Sequence, residues 1–399
     1  MPLLCVGVSH LEAAPHQLAA LSSETDSLNA YIMEHGADQI DGLVWLATCN
    51  RFEAYLDANT FHGAVGLMMQ AVKAVLPTLP ETLTDAFRTH VGPGAVEHLF
   101  MVTAGMESMV IGEAEIAGQV RSALAASRHV SHHLRRAFQG ALTTSKAITS
   151  RTKLRAVGRS LASVGLDLAA PPSWPDSDVL VLGTGEYAGT VVAELLRRHC
   201  HQITVFSGSG NAENFAASHP VTPAASLPEA LAQADLLVTA SGNGTAKITA
   251  AMVEQSSITG IVDLTGGADL DDHLPTRVIG LSEIGQHAPP ANNAAIEQAK
   301  QLIAEGVAAA LIDELEHGAA PAITAMRGYV GDIIAAEAAR ARAAYPPETA
   351  AAVEKALHRV TGALLHHPSV AAAELARIGR MAEYNQALET LFGILVETP

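Results

Sequence analysis

Asp178-Val179-Leu180-Val181-Leu182-Gly183-Thr184-Gly185-Glu186-Tyr187-Ala188 is the stretch that decides the fold of this 399-residue chain. A run of apolar β-formers passes directly into Gly-x-Gly-x-x-Ala and then into helical spacing. That order predicts a buried strand, a glycine turn and a helix start whose free backbone N–H groups and dipole suit a pyrophosphate. A glycine turn alone is a weak signal. With a strand before it and a helix after it, Gly183, Thr184, Gly185, Glu186, Tyr187 and Ala188 read as a dinucleotide-binding turn. Residues 203–208, 234–241 and 260–266 read as further strands alternating with helical stretches such as Ala225 to Gln233, the rhythm of a parallel doubly wound sheet. The first of these further strands ends in Ser207-Gly208-Ser209, with no acid for a ribose 2′-hydroxyl and room for a 2′-phosphate, which favours NADP. Pro171, Pro172 and Pro175 separate this unit from what precedes it, and it is expected to end near Ile284.

Upstream, residues 3–9 and 43–49 are short apolar runs separated by a helix-spaced stretch from Ala13 to Gly36, which predicts a small α+β unit. Ala64 to Leu76 and Ala95 to Arg128 have helical spacing, parted by Gly92-Pro93-Gly94. Beyond Pro290 the chain is Ala-rich and helical by period to Phe392, with breaks at Gly318 to Pro321 and at Pro346-Pro347. Such a tail has an apolar stripe and no sheet to bury it on. A long helix followed by a bundle therefore predicts dimerisation, the alternative being a compact bundle within one subunit.

Apolar residues make up 49% of the chain and charged residues 16%, which excludes a disordered polymer. The start MPLLCVGVSH lacks a basic segment, apolar stretch and cleavage site, and no uncharged apolar run is long enough to span a bilayer, so a cytoplasmic protein is expected. Cys5, Cys49 and Cys200 are odd in number and scattered, which fits thiols in a reducing compartment rather than disulfides or a four-ligand metal site. The net charge of −17 opposes nucleic acid in general. Yet Ile116 to Leu166 contains no acid and carries Arg121, Arg128, Arg135, Arg136, Lys146, Arg151, Lys153, Arg155 and Arg159, supplemented by His129, His132 and His133. A face of this kind either pairs with acidic neighbours or receives phosphates, and phosphate binding is the stronger reading.

Cys49 lies at a strand end in Thr48-Cys49-Asn50-Arg51, where the nearby cation favours a nucleophilic thiolate. Free cysteines are mostly inert core residues. The polar company of Asn50 and Arg51 sets Cys49 apart from Cys5 and Cys200. A thiolate beside a bound nicotinamide can take up an acyl group as a thioester and have it reduced to an aldehyde. The basic helices supply a reason for that acyl group to arrive on a transfer RNA.

Thr48-Cys49-Asn50-Arg51-x-Glu53, then His98-Leu99-Phe100, then residues 105–113 from Gly105-Met106-Glu107-Ser108 to Gly112-Glu113, then Gln119-Val120, resemble glutamyl-tRNA reductases. The resemblance spans essentially the whole chain in order, from residues 7–10 through the glycine turn to Leu364-Leu365-His366-His367-Pro368. It implies an NADPH-dependent reduction of glutamyl-tRNA(Glu) to glutamate 1-semialdehyde through a Cys49 thioester, the first step of the five-carbon route to tetrapyrroles. It further implies that Thr48, Asn50, Arg51, Ser108, Glu113, Glu115 and Gln119 line the glutamate pocket, with Arg51 on a carboxylate, and that His98 serves as general acid or base or shapes the pocket. The implied fold is multidomain α/β: an α+β catalytic domain (1–157), a Rossmann-like NADPH domain (158–288), and a helical linker and dimerisation domain (289–399). A homodimer is implied, with a glutamate-1-semialdehyde aminomutase as a further partner.

Three positions depart from the family pattern. Glu115 replaces a usual Gln, Ser207-Gly208-Ser209 lacks the arginine expected on NADP's phosphate, and Thr265-Gly266-Gly267-Ala268-Asp269 replaces a segment beginning Pro-Arg-Asp. These motivate an alternative, a tRNA-binding or regulatory homologue that acylates or hydrolyses without reducing. A generic NADP dehydrogenase explains the glycine turn but leaves Cys49 and the basic segment without a purpose.

Overall fold

The computed structural model of the chain describes residues 3–113, 115–152, 154, 160–241, 246–267, 269–271, 273–287 and 292–396. Lys153, Arg155, Arg159, Ala268, the side chain of Glu186 and the expected boundaries at 157/158 and 288/289 lie outside the described residues. The chain forms two compact units, residues 1–307 and 308–399.

The first unit begins with β1 (Leu3–Ser9), α1 (Pro15–Ser23), α2 (Thr25–Gly36), β2 (Ile40–Ala47), β3 (Arg51–Ala58), α3 (Phe61–Val75), α4 (Glu81–Thr84), β4 (Arg88–Val91), α5 (Pro93–Thr103), α6 (Ile116–Ala126) and α7 (His132–Arg151). The strands form an antiparallel sheet in the order β2-β3-β1-β4. β3 alternates strictly. Phe52, Ala54, Leu56 and Ala58 enter the core with Leu18, Leu28, Ile32 and Met68, while Arg51, Glu53, Tyr55 and Asp57 point the other way, and all eight residues are buried. β2 and β3 form a hairpin whose turn is closed by the Thr48 N–H donating to the Arg51 carbonyl at 2.8 Å. Cys49 is therefore a turn residue. α7 starts at Ser131, whose Oγ accepts from the Leu134 N–H at 3.1 Å and satisfies one of the free donors of its first turn.

The helical spacing from Ala95 to Arg128 does not produce one helix. α5 and α6 are separated by a loop from Ala104 to Glu115, because Gly105 (φ +73°) and Gly112 (φ +81°) occupy the left-handed region. The Gly112 N–H donates to the Gly105 carbonyl at 2.9 Å, and a Cβ on Gly105 would lie 2.9 Å from the Glu113 nitrogen. This loop carries Glu107, Ser108 and Glu113 toward the hairpin turn.

After α8 (Leu161–Ala169) come β5 (Asp178–Leu182), α9 (Glu186–Arg197), β6 (Gln202–Phe206), α10 (Ala212–Ala216), β7 (Thr222–Pro223), α11 (Leu227–Gln233), β8 (Leu236–Thr239), α12 (Ala250–Glu254), β9 (Gly260–Asp263), β10 (Arg277–Ile279), α13 (Leu281–His287) and α14 (Asn293–His317). The six strands are all parallel in the order β10-β9-β8-β5-β6-β7. This is the doubly wound arrangement expected from the glycine turn. Val179, Val181, Val191 and Leu195 fill one side of the sheet with Leu161 and Leu166, and Leu180, Leu182, Leu237 and Ile261 fill the other with Leu227 and Leu231. Each such side chain contributes about 1.5–3 kcal/mol on full burial. The strand order reverses between β5 and β8, which opens a crevice at their carboxyl ends.

In the second unit α15 (Ala320–Ala344), α16 (Pro347–Arg377) and α17 (Met381–Phe392) pack around Ala322, Met326, Ala372, Ala376, Tyr384 and Leu388. Two of the helix breaks fall at the glycine and proline positions read from the sequence, and a third, at Gly379 (φ +70°), was not read there. Tyr329, Ile333, Val360, Leu364, Val370 and Leu391 remain exposed, so the apolar stripe is only partly covered. No helix among the described residues is long and apolar enough to cross a membrane.

Candidate active site

Two cavities flank the β2–β3 turn. The first, about 180 Å³, is lined by Ser22, Thr48, Cys49, Gln119, Tyr187, Ser241 and Thr265 among others. It joins the hairpin turn to the glycine-turn helix and to the carboxyl ends of β8 and β9. Thr48 Oγ1 accepts from the Asn50 N–H at 3.2 Å, and the Asn50 carbonyl accepts from the His10 N–H at 2.8 Å, which fixes the turn that presents the thiol.

The expected activation of Cys49 by Arg51 is not found. Burial, then the charges of Glu113, Asp263 and Glu115, push the Cys49 thiol up. Strand alternation turns Arg51 to the opposite face, where it is 1% exposed and donates to Glu53 Oε1 at 2.6 Å and to the Glu107 carbonyl at 2.7 Å. Glu113 is buried on the thiol's side. Burial and the neighbouring Glu115 push its carboxyl up to about 8, against opposing contributions from Ser108 and Arg51, so near neutrality it is mostly protonated. Glu115 caps α6, with Gln119 one turn further on, its N–H donating to the Glu115 carbonyl at 3.0 Å.

The second cavity, about 280 Å³, contains His98. Its Nε2 lies 3.0 Å from Glu53 Oε1, its Nδ1 3.0 Å from Glu107 Oε2, and its ring stacks on His90 at 4.0 Å. Burial opposes its charge, but Cys5, Glu107 and Glu53 outweigh that and hold the imidazole to about 12. The Tyr55 hydroxyl donates to Glu53 Oε2 at 2.8 Å. Glu53 is thus the hub of Arg51, His98 and Tyr55, and despite its burial these partners pull it down to about 2. Cys5, Glu53 and His98 are close enough to share a metal ion. Arg51, Tyr55 and His98 already engage both Glu53 oxygens. His98 lines a different cavity from Cys49, with both ring nitrogens against carboxylates, an arrangement that suits a positioning cation rather than a base.

Glu53 and Glu107 carry this network, and sequence reading assigned neither a role. The period-two pattern Arg51, Glu53, Tyr55, Asp57 against Phe52, Ala54, Leu56, Ala58 was the available signal.

At the glycine turn, Gly183 has φ +126° and its Cβ would lie 2.8 Å from the Ala240 carbonyl carbon, while Gly185 caps α9 with open space where a Cβ would stand. Ala188 is fully buried and lets α9 pack on the sheet. These residues fit a dinucleotide: a tight turn, an open phosphate approach and close helix packing. Thr184, Ser207 and Ser209 link their hydroxyls at 3.2 and 2.9 Å at the end of β6. The Gly266-Gly267 departure has a structural reason. Gly266 (φ +70°) would put a Cβ 2.6 Å from Pro15 Cβ, and the Gly267 (φ +88°) N–H donates to Asp263 Oδ2 at 2.7 Å.

On the basic segment, Arg121, Arg128, Arg135, Lys146 and Arg151 are exposed, and none forms an ion pair among the described residues.

The glutamyl-tRNAGlu reductase N-terminal domain family matches residues 6–152, its dimerisation domain family residues 298–394, and the shikimate/quinate 5-dehydrogenase family residues 166–277. A glutamyl-tRNA reductase of Clavibacter michiganensis is 36% identical over 420 residues, covering 100% of this chain and 95% of the relative. That of Pseudarthrobacter chlorophenolicus is 36% identical over 422 residues, covering 100% and 95%. A solved structure of glutamyl-tRNA reductase from Methanopyrus kandleri aligns over 96% of this chain and 99% of that chain, at 22% identity and a TM-score of 0.41. With a tight-turned thiol, a dehydrogenase-type glycine crevice in one unit and full-length relatives at this identity, the chain belongs to the glutamyl-tRNA reductase family.

Proposed function

We propose that the protein converts glutamyl-tRNA(Glu) to glutamate 1-semialdehyde through a Cys49 thioester, as the first step of tetrapyrrole biosynthesis, with NADPH as reductant. The observation that carries this reading is the single cavity lined both by Cys49 and by Tyr187 of the glycine-turn helix. Cys49 Sγ attacks the ester carbonyl, the C–S bond forms, the bond to the ribose oxygen breaks, and the thiol proton ends on that oxygen as tRNA leaves. The acidic surroundings of the thiol suit the substrate's α-ammonium, whose arrival offsets the charges that keep Cys49 protonated. Ser108, Glu113, Glu115, Gln119, Thr48 and Asn50 supply polar contacts around it. His98 and Glu53 hold Arg51 in place behind the turn. Gly183 to Ala188 would hold the pyrophosphate and Ser207 and Ser209 the ribose 2′-phosphate. The nucleotide, when bound, supplies hydride to the thioester carbonyl.

The exposed cations of α6 and α7 and the link between them receive tRNA phosphates. The uncovered stripe of the second unit supports a homodimer. The division into residues 1–157, 158–288 and 289–399, a cytoplasmic site of action and a partnership with glutamate-1-semialdehyde aminomutase belong to the same proposal. The non-reducing alternative loses one motive, since Gly266 is accounted for by its positive φ and its approach to Pro15 and Gly267 by its positive φ. Cys49→Ser tests the reading: aldehyde formation falls at least about 10³-fold with an unchanged melting transition. Retained aldehyde formation would reject the thioester.

A further inference from the structure

Tyr187 is the second residue of α9 and lines the Cys49 cavity. Its phenol oxygen is buried, and no side chain or carbonyl among the described residues accepts from it. The backbone group that acts on it, at Ala162 in the first turn of α8, is an N–H donor, so among the described residues the phenol hydrogen has no acceptor. Burial, followed by the charges of Glu113, Cys49 and Glu115, holds the phenol well above its ordinary range. It is therefore a permanent donor. The cavity's other hydroxyls from the nucleotide sheet are spent, Ser241 on Asp269 and Thr265 on Asp263. A buried donor left bare beside a nucleophile is an expensive feature unless something arrives to accept from it.

We propose that Tyr187 is a catalytic residue of acyl transfer, its O–H donating to the carbonyl oxygen of the glutamyl ester as Cys49 attacks. This rests on the thioester reading. When the C–S bond forms, the carbonyl π pair moves onto that oxygen. Tyr187 holds the resulting charge without giving up its proton, and collapse restores the carbonyl as the ribose oxygen departs with the thiol's proton. Tyr187 thereby couples the two halves of the site, since the helix that opens the nucleotide crevice also serves the first chemical step.

The test is single-turnover acylation of Cys49 by glutamate-labelled Glu-tRNA in the absence of any nicotinamide nucleotide, in parent, Tyr187→Phe and Ser22→Ala proteins. Ser22 Oγ is a second bare hydroxyl of this cavity and provides the comparison. The expected result is a loss of about 10²-fold in the acylation rate constant at saturating tRNA for Tyr187→Phe, with unchanged half-saturation. Iodoacetamide should alkylate Cys49 at the parent rate in that variant, and its melting temperature should be no lower. An acylation rate within twofold of the parent overturns the assignment, as does an equal fall in alkylation, which would mean a packing role, or a loss confined to Ser22→Ala. A parent protein that never acylates Cys49 overturns the thioester reading itself and this proposal with it.

Discussion

The two cavities beside the β2–β3 turn are opposites in charge. Around His98, cations and anions are matched: Arg51 and His98 face Glu53 and Glu107, and Arg51, His98 and Glu53 shift toward their charged forms. Around Cys49, burial and the charges of Glu113, Asp263 and Glu115 act on the thiol, and both the thiol and Glu113 shift toward neutrality. Cys49 and Arg51 are two residues apart in sequence but belong to different regimes, because the chain turns at one and enters an alternating strand at the other. The matched network positions the turn; the acidic surroundings of the thiol suit a cationic ligand. The substrate's ammonium is that ligand in the proposed mechanism.

The largest way to break this contrast is Glu53→Ala. It leaves Arg51 and His98 as buried cations without their shared carboxylate, and a loss of about 3–5 kcal/mol in chemical denaturation is expected. A loss below 1 kcal/mol would show that the matched cavity is not what fixes the turn. The same carboxylate sets an acid limit. Its native pKa of about 2 lies below the ordinary 4.5, so its contribution is complete above that value and disappears as pH falls toward 2.

Glu113→Gln is a smaller and opposite test. The native pKa of about 8 lies above 4.5, so the stability tied to the held proton is complete below pH 4.5 and is lost as pH rises toward 8. Glutamine cannot ionise. The variant should therefore gain on the parent by a few degrees in melting temperature between pH 5 and pH 8. Its Cys49 should also alkylate severalfold faster at pH 9, where the parent's Glu113 is charged. A pH-independent difference between the two proteins would mean that Glu113 is already ionised in the cavity.

The doubly wound sheet was legible because parallel strands buried on both faces read as continuous apolar runs, and Leu180 and Val181 announce themselves. β3 was not, because its charged residues look exposed until α5 and α7 cover them. The Ala104 to Glu115 loop was hidden by apolar spacing that continues through it, with Gly105 and Gly112 as the only warnings. Cys49 was found from its neighbours, yet Arg51, the cation that singled it out, serves Glu53. The chemistry of a side chain is written in the sequence; the face it takes depends on where a turn begins.

The most direct measurement is a single-turnover reaction of the purified protein with glutamate-labelled Glu-tRNA, with NADPH, with NADH and without nucleotide, following label on Cys49 and released aldehyde. The account predicts labelled protein that persists without nucleotide and clears to aldehyde with NADPH. Label that instead decays to free glutamate whichever nucleotide is present would contradict it.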